Sequence, residues 1–250
     1  MHYHDQMNIH TILGLSDLGI LRQLRRVFDA VWKDRNRVAV DLGANRGVYS
    51  LWLSQTGYFS EIHSFEPNPL LVKELKENIS LNGFRIVEIH PIACADKVGA
   101  MDLILTESDS TSSVLEVTCA QKGRVRVDTT TLDHFFDNRN PPDFIKMDIE
   151  GAGVLALPHA RKCIAKKRPL LYLESHSTDE DRAIGDLMRR LDYQGFRTRD
   201  EQWIERPDRV FPDPYGVFGN VIACPTEQHE QISRVLGTRG SGWMRQRAAA

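Results

Sequence analysis

The sequence predicts an α/β fold: a seven-stranded, mostly parallel sheet with helices on both faces. Three observations carry this reading. From Arg37 onward, short apolar runs alternate with amphipathic stretches, which is the pattern of βαβ units. Several of those runs are apolar at nearly every position, as strands buried on both faces must be. The chain has 250 residues, 41% hydrophobic and 26% charged, enough for one sizeable core of ordinary globular composition.

The elements follow in order. Residues 1–36 are expected as an N-terminal helical extension, because Leu18, Leu21, Leu24, Arg25 and Phe28 fall near helical spacing. His2, His4 and His10 read as a frayed terminus rather than a metal site. The sheet domain is expected over 37–225. Its first strand, Val38–Leu42, ends at Gly43, and a helix over Val48–Gln55 starts just after Gly47. Glu61–Glu66 is the second strand, stopped by Pro67. The helix over 68–81 places Leu71, Leu75 and Ile79 on one face, and Asn82-Gly83 closes it with a left-handed cap. Ile86–His90 is the third strand. Met101–Leu105 and Val125–Thr129 are strands around a Ser/Thr-rich loop, Ser108–Ser113. Phe144–Asp148 is another strand, followed by a helix from about Ala152 to Lys166, and Leu170–Glu174 is the next strand. Ile184, Leu187, Met188 and Leu191 mark a further helix, and Phe196–Arg199 with Val217–Cys224 forms a hairpin pair. Residues 226–250 complete the chain as a C-terminal helix and a loose tail.

Composition excludes several classes of function. Lys and Arg total 32 against 34 for Asp and Glu, a net charge of −2 that gives no electrostatic case for a nucleic-acid partner. No apolar run reaches the roughly 18 residues of a membrane span, and the first residues lack the basic start and apolar core of a secretory signal. Cys94, Cys119, Cys163 and Cys224 lie far apart, which reads as reduced, mostly buried thiols in a cytoplasmic protein.

A parallel sheet binds ligands at the carboxyl ends of its strands. The segment Asp41-Leu42-Gly43-Ala44-Asn45-Arg46-Gly47 stands at such an end. Its glycines allow a tight turn and close approach of a ligand. Its G-x-x-x-G spacing is not the G-x-G-x-x-G of a dinucleotide site. An acid at the loop's start suits a cationic ligand, and S-adenosylmethionine carries an ammonium and a sulfonium. Glu66, about 20 residues past the loop, is placed to accept from both hydroxyls of a ribose. Asp41, Gly43, Asn45, Gly47 and Glu66 are therefore the candidate cofactor residues.

A second set ends the later strands. Lys146 and Asp148 share a strand face, either as a simple pair or as part of a site. Glu150 follows in the loop, and Glu174 and His176 end the next strand. Asp148, Glu150 and His176 are the candidates for orienting or deprotonating a substrate hydroxyl, with Glu174 beside them. The same oxygens and imidazole could hold a divalent cation, although no metal is the favoured reading.

Taken together, Asp41-x-Gly43-x-Asn45-x-Gly47, Phe65-Glu66-Pro67, Ser112-Ser113, Thr131-Leu132-Asp133 and Ile145–Ala152 resemble the FkbM methyltransferases over about residues 37–175. The resemblance implies a Rossmann-like class I fold, S-adenosylmethionine as cofactor, and methylation of hydroxyls in sugars and natural products. The acceptor it implies is a small molecule or glycan. In length and theme the chain is also similar to rhizobial nodulation methyltransferases acting on a fucose 2-hydroxyl. One departure stands out: the family usually continues E-G-A-E, whereas this chain reads Glu150-Gly151-Ala152-Gly153.

Three other readings compete. An amino- or nucleic-acid methyltransferase would use an N-P-P-aromatic motif after a strand, but Asn140-Pro141-Pro142-Asp143 precedes one, and Asp213-Pro214-Tyr215 has a single proline. A non-catalytic cofactor-binding protein finds its only support in Gly153. A nicotinamide dehydrogenase lacks its glycine fingerprint. The loop Ser108–Ser113 and the segment Pro207–Gly219 are expected to border the acceptor site.

Overall fold

The computed structural model describes residues 15–106, 121–199, 201–204, 211–213 and 218–237. The main sheet is formed by β1 (Arg37–Leu42), β2 (Phe59–Phe65), β3 (Val87–His90), β7 (Phe144–Met147), β8 (Leu170–Leu173), β9 (Tyr193–Arg197), β10 (Gln202–Trp203) and β11 (Val221–Pro225). Their order is β10-β9-β11-β8-β7-β1-β2-β3. Seven strands of four or more residues make the expected sheet, and the two-residue β10 adds an eighth at one edge. The pairs β1–β2, β1–β7, β2–β3 and β7–β8 are parallel. The pair expected as a simple hairpin is more deeply set: β11 runs antiparallel to both β9 and β8 and lies between them. Met101–Leu105 and Val125–Thr129 lie in β5 (Gly99–Thr106) and β6 (Gln121–Thr130), which pair antiparallel in a separate sheet with β4 (Ala93–Cys94).

Alternation within buried strands loads both faces. Val38, Val40 and Leu42 of β1 face a core that includes Ala156, Leu157, Ile164, Ile184 and Leu187. These come from α5 (Gly153–Ala156), the 3₁₀ turn after it, α6 (Arg161–Lys167) and α7 (Thr178–Leu191). Ala39 of β1 faces the other way, with Phe144, Tyr172, Phe196 and Ile222, beneath Leu24, Val27 and Phe28 of α1 (Leu15–Val31). The helical spacing of Leu21, Leu24 and Phe28 thus marks a buried stripe. Ile232 of α8 (His229–Leu236) joins the same core. Helix α2 (Val48–Thr56) follows β1, and α3 (Pro69–Leu81) follows β2. Asn68 caps α3 by accepting from the Leu70 amide, Pro69 occupies the first helical position, and Gly83 takes a left-handed φ of 69° beyond its end.

One expected helix is broken. Instead of a continuous element from about Ala152 to Lys166, α5 gives way to a 3₁₀ turn at Leu157–His159 before α6 begins. Pro158 has no amide hydrogen to donate and its ring crowds the preceding turn, so the α-helical ladder cannot run through it. A short α4 (Leu132–Phe135) is capped by Thr131, whose hydroxyl accepts from the His134 amide. Cys94, Cys163 and Cys224 are free and buried. No described helix is long and apolar enough to cross a membrane.

Candidate active site

The Asp41–Gly47 loop crosses the carboxyl ends of β1 and β2. Gly43 and Ala44 both donate to the Phe65 carbonyl, at 3.0 and 2.9 Å, which folds the loop back onto β2. Gly43 has φ 74°, and a Cβ built there would stand 1.8 Å from the Asp148 carbonyl oxygen. Only glycine lets β1's exit pass so close to β7's. Asn45 takes φ 50°, and its own carboxamide oxygen accepts from the Arg46 amide at 2.8 Å, offsetting part of the cost of that conformation. Gly47 (φ 91°) begins α2 without a side-chain cap of its own, and the helix directs its positive end toward the loop.

Glu66 is buried, and its two carboxylate oxygens accept from the Asn45 amide at 2.8 Å and the Asn68 amide at 2.9 Å. Burial pushes its pKa up, against the lowering effect of those two amides. Each oxygen retains a second acceptor direction, as a carboxylate that receives ribose hydroxyls needs. The buried Asn68 Nδ2 has no hydrogen-bond partner and is a further donor beside it.

Asp41 is differently placed from the expectation of an acid facing a cationic ligand. It is wholly buried, its Oδ2 accepts from Ser50 Oγ at 2.6 Å, and Lys146 Nζ lies 3.2 Å from its Oδ1. The charge of Asp41 is thus met from within the protein. Lys146 also donates to the carbonyls of Leu42 (3.2 Å) and Gly43 (2.7 Å) and stands 3.6 Å from Asp148. Burial alone would lower the lysine pKa, but Asp41 and Asp148 overcome it and hold the ammonium above its ordinary range. Lys146 and Asp148 therefore do not form an isolated pair.

The second set converges at the ends of β7 and β8. His176 Nε2 lies 3.6 Å from Glu174 and 3.8 Å from Glu150, and its Nδ1 lies 3.5 Å from Glu180. Asp148, Glu174 and His176 each bring one ligand-type atom within 4.8 Å of the others. Burial, followed by the charge of Asp148, pushes Glu174 up to about 8. The hydrogen bond to Glu180 pushes His176 up to about 9 in spite of burial, with Glu174 and Glu150 adding to the rise. The rise favours the imidazolium form, a cationic donor, over the free base. Glu150 is raised by burial and sits at φ 49°.

The structure brings Asp41, Gly43, Asn45 and Glu66 together around one loop and places Asp148, Glu150 and His176 against its far side. Gly47 serves through its turn and by leaving room for Leu75, whose Cδ1 would be 2.5 Å from an added Cβ. Sequence reasoning missed Ser50, Asn68 and Glu180. The Ser177-x-x-Glu180 spacing was a readable capping box, and Ser177 Oγ does accept from the Glu180 amide. The Glu180 carboxylate, however, reaches the amides of His176 (2.8 Å) and Gly153 (3.2 Å) instead of turning back to its own cap. Ser108–Ser113, Ser112-Ser113 of the motif set included, lies outside the described residues. Of Pro207–Gly219, residues 211–213 and 218–219 are described, and Phe211 packs against Gly185 of α7.

No curated protein sequence matches the chain. Among solved structures it is similar to the methyltransferase FkbM of Methylobacillus flagellatus KT (TM-score 0.49, 20% identity, 77% of this chain and 44% of that one). The chain thus spans less than half the length of that relative. It is also similar to the precorrin-6y C5,15-methyltransferase of Geobacter metallireducens (TM-score 0.45, 12% identity, 81% and 86%). A third similar structure is the Streptococcus mutans protein SMU.1697c in complex with SAH (TM-score 0.47, 11% identity, 81% and 96%). The Methyltransferase FkbM domain matches residues 41–198, which begin at the acid of the β1 loop and run past His176 to the end of β9. The chain belongs to the FkbM family of S-adenosylmethionine-dependent methyltransferases.

Proposed function

We propose that this enzyme is an O-methyltransferase acting on a hydroxyl of a sugar or glycosylated metabolite. The observation that carries the reading is the contact between its two half-sites: the Gly43 backbone lies against the Asp148 carbonyl, so the cofactor loop and the acid cluster share one wall. S-adenosylmethionine supplies an electrophilic methyl group. Glu66 and the positive end of α2 hold the nucleoside end, while Asp41 acts indirectly, keeping Lys146 on the loop carbonyls. Asp148, grouped with Glu174 and His176, is the acid that receives the proton of an acceptor hydroxyl. His176 donates to and orients the acceptor. Such polar, paired donors and acceptors suit a polyhydroxylated acceptor better than an apolar one. A fucose 2-hydroxyl on a lipochito-oligosaccharide is one acceptor of this kind. Free buried thiols support a reducing, cytoplasmic setting.

The test is transfer of labelled methyl from S-adenosylmethionine to a panel of glycans, fucosylated oligosaccharides first, with RNA and protein as controls. Label on a sugar hydroxyl, reduced about 100-fold or more by Asp148→Asn, is the expected result. Label on RNA or protein amino groups alone would overturn it.

A further inference from the structure

Away from this site, a second group of metal-ligating side chains lies on the β2–β3 pair at the sheet's other edge. His63 of β2 stands in register with Glu88 of β3, and His90 ends β3 opposite Phe65. His63 Nδ1 and His90 Nε2 are 3.0 Å apart. Glu88 brings one oxygen to 3.5 Å from His63 Nδ1 and the other to 3.9 Å from His90 Nε2. On the far side of its ring, His63 Nε2 meets Glu61 at 3.0 Å.

As hydrogen bonding alone this arrangement shares one proton among three acceptor atoms, with solvent left to complete Glu88. When His63 Nε2–H donates to Glu61, its Nδ1 is a lone pair that faces another ring nitrogen and a carboxylate. The His90 Nε2 proton can satisfy one of those acceptors and not both. A cation between the three atoms satisfies all of them. We propose that His63, His90 and Glu88 form a binding site for a divalent transition-metal ion of the zinc class. Tetrahedral ligands about 2.0–2.2 Å from such an ion lie roughly 3.3–3.5 Å from one another. The two ring nitrogens are 3.0 Å apart, and one ligand atom from each of the three residues lies within 4.8 Å of the others, so small side-chain rotations bring them onto such an ion. Two imidazoles with one carboxylate is a zinc donor set, whereas calcium and magnesium favour all-oxygen shells.

The surroundings fit the same occupant. Glu61 supplies the outer carboxylate that fixes the tautomer and angle of a ligating histidine. The inner wall is dry, with Phe135 and Phe136 edge-on to His63 at 5.3 and 5.5 Å. Glu88 is 61% exposed and leaves a side open to solvent for a fourth ligand. Arg139, the nearby cation, is held elsewhere, donating to the Phe135 carbonyl at 2.6 Å and lying over that ring. The ion ties the edge strand β3 to β2 one residue from Glu66, whose amide donates to the His90 carbonyl at 3.1 Å.

The test is titration of the chelator-stripped full chain with zinc chloride against a chromophoric chelator, with cobalt(II) absorption as a second readout. The expected result is one zinc per chain at micromolar or tighter affinity, and a four-coordinate nitrogen–oxygen cobalt spectrum. Glu88→Gln and His90→Gln remove it, and the surface change Glu61→Ala weakens it roughly 10- to 100-fold. His176→Gln, in the other cluster able to hold an ion, leaves it unchanged. Absence of micromolar zinc binding in the wild type would overturn the proposal. So would zinc retained equally in Glu88→Gln and Glu61→Ala, or lost in His176→Gln alone.

Discussion

Lys146 and Asp41 form a buried ion pair, 3.2 Å apart with side chains 3% and 0% exposed, directly beneath the Gly43–Gly47 loop. The ammonium also holds the carbonyls of Leu42 and Gly43, so a single side chain joins the loop to β7. Removing one partner leaves the other charge buried and unmatched, which costs about 3–5 kcal/mol. Lys146→Met is expected to lose that much in urea unfolding, and Asp41→Asn in the same chain should recover part of it. A loss under about 1 kcal/mol would mean the pair does not carry the loop.

Glu66→Ala is expected to weaken S-adenosylmethionine binding without unfolding the enzyme. A hydrogen bond to a charged group is worth roughly 1.5–3 kcal/mol, or about 10- to 150-fold in affinity. Calorimetric titration of wild type and variant reads it directly. Unchanged affinity would place the ribose elsewhere.

Stability should fall as pH rises from about 4.5 to 9, with both groups contributing above 6.5. His176 has its pKa raised from 6.5 to about 9 in the folded protein, so its contribution is full below 6.5 and disappears as pH passes 9. Glu174 is raised from 4.5 to about 8 and acts in the same direction, because the folded state keeps a proton that the unfolded chain has released. Solvent screening of the partly exposed imidazole reduces its share to about 1–2 kcal/mol. Urea unfolding at pH 6 and pH 9 measures the slope, and His176→Gln should flatten it.

Gly153→Ala probes the position where the family motif departs. The added Cβ would stand 2.8 Å from Glu180 Oε1, which already accepts from the Gly153 amide. The Glu180 carboxylate must shift, and with it the support of His176. A stability loss of about 1–3 kcal/mol is expected, together with a fall in the His176 pKa that NMR titration of the ring would follow. An unmoved His176 pKa would show that Glu180 does not set it.

Gly43→Ala should be more damaging. The residue sits at φ 74°, and its Cβ would fall 1.8 Å from a backbone oxygen that cannot rotate away. Left-handed strain and overpacking together amount to about 2–6 kcal/mol. Thermal unfolding with and without S-adenosylmethionine would show both a lower Tm and a smaller ligand-induced rise.

Much of the fold is local information and was legible in the sequence. The apolar run Val38–Leu42 and the helical spacing of Leu71, Leu75 and Ile79 needed no distant partner to be recognised. The broken helix at Pro158 was equally local and could have been read from that proline. The insertion of β11 between β9 and β8 could not, because strand order depends on pairing across the sheet.

By itself the sequence determined the βαβ architecture, the strand-end loop with its Gly43 and Gly47, and the acids that end β2, β7 and β8. Periodicity and turn chemistry act over a few residues, so they survive in a linear reading. Only the tertiary structure decided what those groups are electrically. It matched Asp41 to Lys146, raised His176 through Glu180 and Glu174 through burial, and brought His63, His90 and Glu88 together. Charge state depends on burial and on neighbours within a few ångströms. Lys146 reaches Asp41 from a strand far along the chain, and even Glu180, four residues from His176, is aimed by how the chain folds after β8.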